Sequence, residues 1–193
     1  MTQYFSSLED QSVIDLITNG AIGVLPTDTV YGLVAAIRHP EAVTKLYATK
    51  PRELAPGTII AASVDDLASV GFRLGQLKQV EHLWPAALSV VLDARDVNVD
   101  VKQLRTELPV RIPASPALSN LLRQTGPLMT TSANAPKQPT STSIAMAETY
   151  FGDSVDYYVE GGNLSNRPPS TIIGIKPDDS IEIYRQGAIT IKQ

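Results

Sequence analysis

Three consecutive small polar residues, Thr27, Asp28 and Thr29, follow an apolar run over residues 21–25 that predicts a buried strand and breaks at Pro26. Loops at strand ends are where a rigid sheet exposes its working side chains. Three neighbouring hydrogen-bonding groups are also costly to bury without partners. The loop is therefore a candidate ligand-binding segment. A Pro-Asp turn whose side chains cap their own backbone is the alternative interpretation of the same residues.

A second polar cluster, Thr130-Thr131-Ser132-Ala133-Asn134, also follows a predicted strand. Its hydroxyl and amide groups form a dense set of hydrogen-bonding groups that suits phosphate or carboxylate oxygens. A turn that is capped by Ser132 and Asn134 is the alternative. Two of the candidate segments thus share one position relative to the predicted strands.

The segment Lys50-Pro51-Arg52 lies at the carboxyl end of a predicted helix. Lysine acts as a point charge and arginine as a planar fork, so the two side chains together could grip different oxygens of a polyphosphate. The structural alternative is also good, because cations favour the carboxyl ends of helices and proline stops helices. Both interpretations stay open from the residues alone.

Two further arginines, Arg111 and Arg185, stand next to strand-forming apolar residues. An arginine in such a place is expensive to bury unless an anion or an acidic side chain meets it. A solvent-exposed position at a sheet edge is the alternative for each.

Several familiar sites are missing from the sequence. It contains neither the Gly-x-x-x-x-Gly-Lys-Ser/Thr phosphate loop nor the Gly-x-Gly-x-x-Gly fingerprint, and no zinc-binding spacing. We therefore expect no metal ligands, and any nucleotide must be held by side chains and strand-end amides. Serine hydrolase chemistry at Ser132 needs a base, and the two histidines, His39 and His82, lie in unrelated polar contexts.

Composition narrows the class of protein. The 193 residues fit one domain, 1–193, and 43% hydrophobic content is enough for a core without a metal or disulfide staple. The absence of cysteine excludes disulfides and fits a reducing compartment. No apolar run approaches a membrane span, and residues 1–19 resemble neither a signal nor a transit peptide, so we expect a cytoplasmic protein. The net charge of −4 is not that of a nonspecific nucleic-acid binder.

The hydrophobic pattern interleaves helices and strands, which indicates an α/β fold. The predicted helices cover residues 6–19, 41–49, 65–70, 74–83, 116–123 and 144–150. The predicted strands cover residues 21–25, 58–62, 88–92, 108–112, 127–131, 155–159, 171–175 and 181–184. No helix separates the last strands, so we expect a mixed parallel and antiparallel sheet.

Taken together, the candidate segments resemble the YrdC/TsaC family. The resemblance rests on the block Pro26-Thr27-Asp28-Thr29-Val30-Tyr31-Gly32-Leu33, followed in order by Lys50-x-Arg52, Val110-Arg111-Ile112-Pro113 and Ser132-x-Asn134. Further matches are Trp84-Pro85, Pro139-Thr140, Gly161-Gly162 with Ser170-Thr171, and Arg185-x-Gly187-Ala188. The combination is specific, whereas any one of these segments alone would be weak, and it spans essentially the whole chain.

The resemblance implies a twisted sheet with flanking helices around a deep, concave, positive cavity. It implies the activity of an L-threonylcarbamoyladenylate synthase, which combines L-threonine, bicarbonate and ATP, with Mg²⁺, into threonylcarbamoyl-AMP and pyrophosphate. The product would pass to tRNA threonylcarbamoyl transferase proteins for the modification of adenosine in tRNA.

The resemblance also implies roles for particular residues. Residues expected to contact threonine are Thr29, Arg111, Ser170 and the backbone near Thr130. Residues expected to face ATP are Lys50, Arg52, Ser132, Asn134, Thr140 and Arg185, of which Lys50 and Arg52 would be catalytic.

Three segments differ from the family pattern: Ala61, where many members end a strand in histidine; Ala86-Ala87, in place of Gly-Pro; and Arg167-Pro168-Pro169 before Ser170-Thr171. These differences leave open a relative with the same fold that uses another acceptor. An RNA-binding module, which would take up tRNA or double-stranded RNA in the positive cavity, is the second alternative. The low aromatic content of 6% disfavours it.

Overall fold

A ten-stranded mixed sheet forms the centre of the computed structural model, which describes residues 1–50, 56–97, 106–176, 178 and 180–191. The strands are β1 Gln3–Phe5, β2 Gly23–Pro26, β3 Tyr31–Ala36, β4 Thr58–Ile60, β5 Leu88–Asp93, β6 Glu107–Arg111, β7 Leu128–Ser132, β8 Tyr157–Val159, β9 Thr171–Ile175 and β10 Ile181–Arg185. Their order across the sheet is β1-β8-β2-β3-β7-β4-β6-β5-β9-β10. Strands that are distant in sequence therefore lie side by side, and this placement brings the polar segments together.

Within the described residues, six α-helices flank the sheet: α1 Gln11–Thr18, α2 Pro40–Thr49, α3 Val64–Ser69, α4 Leu74–Val80, α5 Pro116–Thr125 and α6 Ile144–Phe151. Four of them begin at side-chain caps, in which Asp10, Ser63, Ser115 and Ser143 accept a backbone N–H of the first turn. Two short 3₁₀ helices cover Glu81–Leu83 and Gly152–Ser154. None of the helices in the described ranges is long and apolar enough to cross a membrane.

Two hydrophobic cores lie on opposite faces of the sheet. The first core contains Leu33 and Met129, together with residues of α2, α3, α4 and α6. The second contains Val34 and Leu128, and it packs against α1 and α5. Because side chains alternate between the faces of a strand, the strands β2, β3, β4, β7 and β8 contribute to both cores. Helices α1 and α5 cover only part of the face that carries the second core. Polar residues such as Thr130 lie on the remainder of that face.

The α/β class, the mixed sheet and the flanking helices are confirmed. Each predicted helix and strand is present, with ends that shift by a few residues. Two strands were not predicted. Strand β3 is buried on both faces, so it lacks the polar alternation that marks a strand, and β1 has only three residues. The single domain over residues 1–193 stays a prediction.

Candidate functional site

A polar cavity opens on the second face of the sheet, beside the helices α1 and α5. Its volume is about 80 Å³. Six of the predicted site residues line it: Thr29, Arg111, Thr130, Ser132, Ser170 and Arg185. The cavity therefore joins the loop after β2 with the ends of β6, β7, β9 and β10.

The floor of the cavity is formed by neighbouring strands with small or hydroxylated side chains. Thr130 in β7 is paired with Val34 in β3 on one side and with Thr58 in β4 on the other. Gly32 lies on the same face, and a Cβ atom there would approach Thr130 Oγ1 to 2.6 Å. A side chain at this position would therefore fit only if Thr130 shifted.

A buried ion pair between Arg111 and Asp28 lies beside the cavity, which Arg111 lines. Arg111 Nη2 donates to Asp28 Oδ1 at 3.0 Å, and the two side chains are 4% and 5% exposed. Asp28 Oδ2 accepts from the backbone N–H of Ala114 at 3.3 Å. Burial lowers the pKa of the Arg111 guanidinium, and the Asp28 carboxylate opposes that change. The acid therefore keeps the guanidinium charged inside the protein.

A pair of serines links this ion pair to Arg185. Ser89 Oγ and Ser170 Oγ are 3.0 Å apart, and Arg111 Nη1 donates to Ser89 Oγ at 3.5 Å. Arg185 donates from Nη2 to Ser170 Oγ at 3.1 Å and from Nε to the Ser170 carbonyl at 3.0 Å. Arg111 and Arg185, which are 74 positions apart in the sequence, thus each donate a hydrogen bond to one of these two serine hydroxyls.

The loop between β2 and β3 is held by its own threonines. Thr27 Oγ1 donates to the Val30 carbonyl at 2.6 Å, and it accepts the backbone N–H of Thr29 at 3.1 Å. The two threonine hydroxyls are 3.0 Å apart. The turn interpretation of this loop is therefore confirmed, and the binding interpretation stays a prediction, since the same threonines also line the cavity.

Tyr31 anchors the far side of this loop. Its hydroxyl lies 2.9 Å from the Gly162 carbonyl and 3.1 Å from Glu160 Oε1, and it accepts the N–H of Gly161 at 2.8 Å. Burial raises the pKa of Tyr31 to about 12; the N–H of Gly161 lowers it, and the Glu160 carboxylate raises it further. The tyrosine thereby fixes the segment after β8 against the loop.

Lys50 is buried at the end of α2 and reaches the end of β7. Its Nζ donates to the Ser132 carbonyl, to Ser132 Oγ at 3.2 Å and to Asn134 Oδ1 at 2.8 Å. Ser132 Oγ also donates to Asn134 Oδ1 at 2.6 Å. The structure therefore brings Lys50, Ser132 and Asn134 together, and only Ser132 of these three lines the cavity.

The remaining predicted residues have different outcomes. Thr140 is half-buried in the loop before α6 and is not one of the residues that line the cavity. Arg52 lies outside the described residues. The exposed-edge alternative is wrong for Arg111, because an acidic partner lets that side chain be buried. It is confirmed for Arg185, which is exposed on the edge strand β10 although its guanidinium also contacts Ser170.

Sequence reasoning missed Asp28 and Ser89 as individual site residues. A signal for Asp28 existed, since a buried arginine requires an acid and Asp28 lies in the polar loop after a strand. A weaker signal for Ser89 was its position as a polar residue within the apolar strand β5.

Comparison with known proteins decides the family. A family profile described as telomere recombination (Sua5, YciO and YrdC) matches residues 15–187. The chain belongs to the Sua5/YciO/YrdC family. A putative threonylcarbamoyl-AMP synthase of Mycobacterium tuberculosis is 30% identical over 85% of this chain and 77% of its own length. The threonylcarbamoyl-AMP synthase of Marinobacter nauticus is 33% identical over 81% of this chain and 85% of its own length.

A solved structure of the Sua5/YciO/YrdC family shares the fold. The crystal structure of P. abyssi Sua5 complexed with L-threonine has a TM-score of 0.82 at 23% identity. The match covers 97% of this chain and 57% of the Sua5 chain, so the sequence described here spans little more than half of that protein.

Proposed function

We propose that this chain is an L-threonylcarbamoyladenylate synthase, which condenses L-threonine, bicarbonate and ATP to threonylcarbamoyl-AMP and pyrophosphate. It is an enzyme of the nucleotidyltransferase class. The observation that carries the proposal is the cavity, in which two arginines and several hydroxyls meet in a member of this family. The names of the relatives that align along most of both chains support the same activity.

The end of the cavity near Arg111 is proposed to hold threonine. A carboxylate is recognised best by a planar guanidinium whose own position is fixed. Arg111 is fixed by Asp28, and its Nε is buried with no hydrogen-bond partner in the described part of the chain. Thr29, Thr130 and Ser170 line the same cavity, and Thr29, Ser170 and the backbone at Thr130 are proposed to bind the remaining polar groups of threonine.

Residues at the ends of β7 and β10 are proposed to face ATP. Ser132 and Arg185 line the cavity, and Lys50 and Asn134 contact Ser132 directly. Arg52 and Thr140 are proposed as further ATP contacts on their sequence positions. Lysine and arginine side chains would offset the charge of the phosphates, which need no glycine-rich loop in this arrangement.

The proposed chemistry needs no covalent intermediate with the enzyme. The amine of threonine and bicarbonate form a carbamate and release water; a carbamate oxygen then attacks the α-phosphorus of ATP, and pyrophosphate leaves. Lys50 and Arg52 are proposed to stabilise the charge on the leaving group. One preplaced donor of this kind is worth roughly 10²–10³ in rate, by analogy with oxyanion holes. Holding three reactants together lowers the barrier further.

Magnesium would enter this reaction with the phosphates of ATP. Proteins commonly bind Mg²⁺ through one or two carboxylates together with substrate phosphates. The described residues that line the cavity include no carboxylate, and Asp28 is engaged by Arg111. The described part of the chain also holds no cluster of three metal-ligating side chains. We therefore assign the ion no protein ligand and derive no step through it.

The product is a reactive mixed anhydride, so a transferase must consume it. We propose that tRNA threonylcarbamoyl transferase proteins do so, and that the protein acts in the cytoplasm. Direct binding of tRNA or double-stranded RNA is the competing outcome that the test below separates.

The test measures pyrophosphate release from ATP and bicarbonate with L-threonine, with L-valine or with no amino acid, and it identifies the product by mass spectrometry. L-Valine is the matched control, because it has the shape of threonine without the hydroxyl. We expect release that depends on L-threonine and yields threonylcarbamoyl-AMP. Release that does not need threonine would favour another acceptor. No release and no threonine binding, with RNA binding that weakens steeply with salt, would replace the proposal by the RNA-binding module.

A further inference from the structure

The contact between Ser89 and Ser170 has a direction that the surrounding arginines determine. Ser89 in β5 is completely buried, whereas Ser170 just before β9 lines the cavity. The two Oγ atoms are 3.0 Å apart, and either hydroxyl alone could be the donor. The direction decides where the hydrogen of Ser170 points.

Arginine has only N–H donors and cannot accept a hydrogen bond. Ser89 Oγ therefore accepts from Arg111 Nη1 at 3.5 Å, and Ser170 Oγ accepts from Arg185 Nη2 at 3.1 Å. Each hydroxyl keeps one hydrogen to donate. Among the described residues, the only acceptor next to the Ser89 hydroxyl is Ser170 Oγ.

If Ser170 donated to Ser89, the hydrogen of the buried Ser89 would have no acceptor. Leaving a buried donor without a partner costs about 1–3 kcal/mol. Ser89 must therefore donate to Ser170. Ser170 Oγ then accepts twice, from Ser89 and from Arg185, and its own hydrogen is left for the cavity.

We propose that Ser89 is a positioning residue, which fixes the Ser170 hydroxyl as a hydrogen-bond donor toward an anionic oxygen in the cavity. This inference rests on the proposed function, in which that oxygen belongs to the carboxylate of L-threonine. Ser89 does not line the cavity and acts only through Ser170. The arrangement favours a carboxylate, because a carboxylate oxygen offers lone pairs and no hydrogen.

Removal of the Ser89 hydroxyl would free the hydrogen of Ser170 to rotate. The net contribution of one hydrogen bond corresponds to a change in affinity of roughly three- to tenfold. We therefore expect Ser89→Ala to raise both the Kd and the KM for L-threonine by that factor and to leave kcat within about twofold. Ser89→Thr keeps the hydroxyl and should restore the wild-type values.

The experiment combines calorimetric titration with L-threonine and threonine-dependent pyrophosphate release, for wild type, Ser89→Ala, Ser89→Thr, Ser170→Ala and the double alanine variant. If Ser89 acts through Ser170, the double variant matches Ser170→Ala. Thr125→Val is the matched control, since it removes a buried hydroxyl that donates to the Gly126 carbonyl and does not line the cavity.

Several results would overturn the inference. These are an unchanged Kd for L-threonine in Ser89→Ala, a double variant that is weaker than Ser170→Ala, or a Ser89→Thr variant that does not restore the wild-type Kd. Threonine binding that weakens as expected in Ser89→Ala, without any pyrophosphate release by the wild type, would refute the proposed function and keep the inference. Absence of threonine binding by the wild type would refute both.

Discussion

The buried ion pair between Asp28 and Arg111 allows a sharp prediction about stability. Asp28→Asn keeps the size of the side chain and one oxygen for Arg111 Nη2, but it removes the negative charge. It also places an N–H₂ group where Asp28 Oδ2 now accepts the N–H of Ala114. The variant therefore leaves the Arg111 charge buried without its counterion and brings two donors face to face.

The size of the effect follows from the distance and the burial. Two unit charges separated by 3.0 Å attract each other by about 5.5 kcal/mol at an effective dielectric constant of roughly 20. Removing one partner of a buried pair costs about 3–5 kcal/mol, because the remaining charge stays desolvated. Since the introduced amide retains an acceptor oxygen for Arg111, we expect a loss near the lower end of that range, about 3 kcal/mol in the free energy of unfolding.

The assay is urea unfolding at pH 7, analysed by linear extrapolation. The matched control is Glu81→Gln, which breaks an exposed ion pair with Lys78 whose side chains are 41% and 55% exposed. Exposed pairs contribute little, so this control should remain close to wild type. If Asp28→Asn unfolds at the same urea concentration as the control, the ion pair does not stabilise the fold, and the buried Arg111 charge does not depend on Asp28.

Three further predictions test the cavity and its surroundings. Gly32→Ala should raise the KM for threonine at least roughly tenfold and lower the unfolding free energy by about 1–3 kcal/mol. The reason is that the new Cβ would lie 2.6 Å from Thr130 Oγ1. The control is Gly75→Ala, whose Cβ meets nothing within 4 Å and which should not destabilise the protein. Since burial raises the pKa of Tyr31 to about 12, the stability from this phenol is present below its ordinary pKa near 10 and is lost as the pH rises towards 12. Tyr31→Phe should therefore flatten the fall in unfolding free energy between about pH 10 and 11, and an unchanged slope would contradict this. Arg52→Ala should slow pyrophosphate release at least roughly tenfold with an unchanged urea midpoint, and equal release would remove Arg52 from the proposal.

The positions of the candidate segments relative to strands could be predicted well. The loop after β2 and the cluster at the end of β7 were found because polar residues follow apolar runs, and loops at strand ends carry function. The partners of those residues could not be predicted. The sequence indicates that Arg111 needs an acid but not which one, because Asp28 follows β2, Arg111 ends β6, and β3, β7 and β4 lie between these two strands in the sheet.

The sequence by itself determined the residue types, the order of helices and strands, and the family resemblance, because these depend on local spacing and hydrophobic pattern. Only the tertiary structure decided that Arg111 is buried against an acid and that Arg185 reaches Ser170. It also decided that Lys50 is occupied by Ser132 and Asn134. The physical reason is that hydrogen bonds and ion pairs act over a few ångströms, and the strand order that sets those distances results from packing the whole sheet.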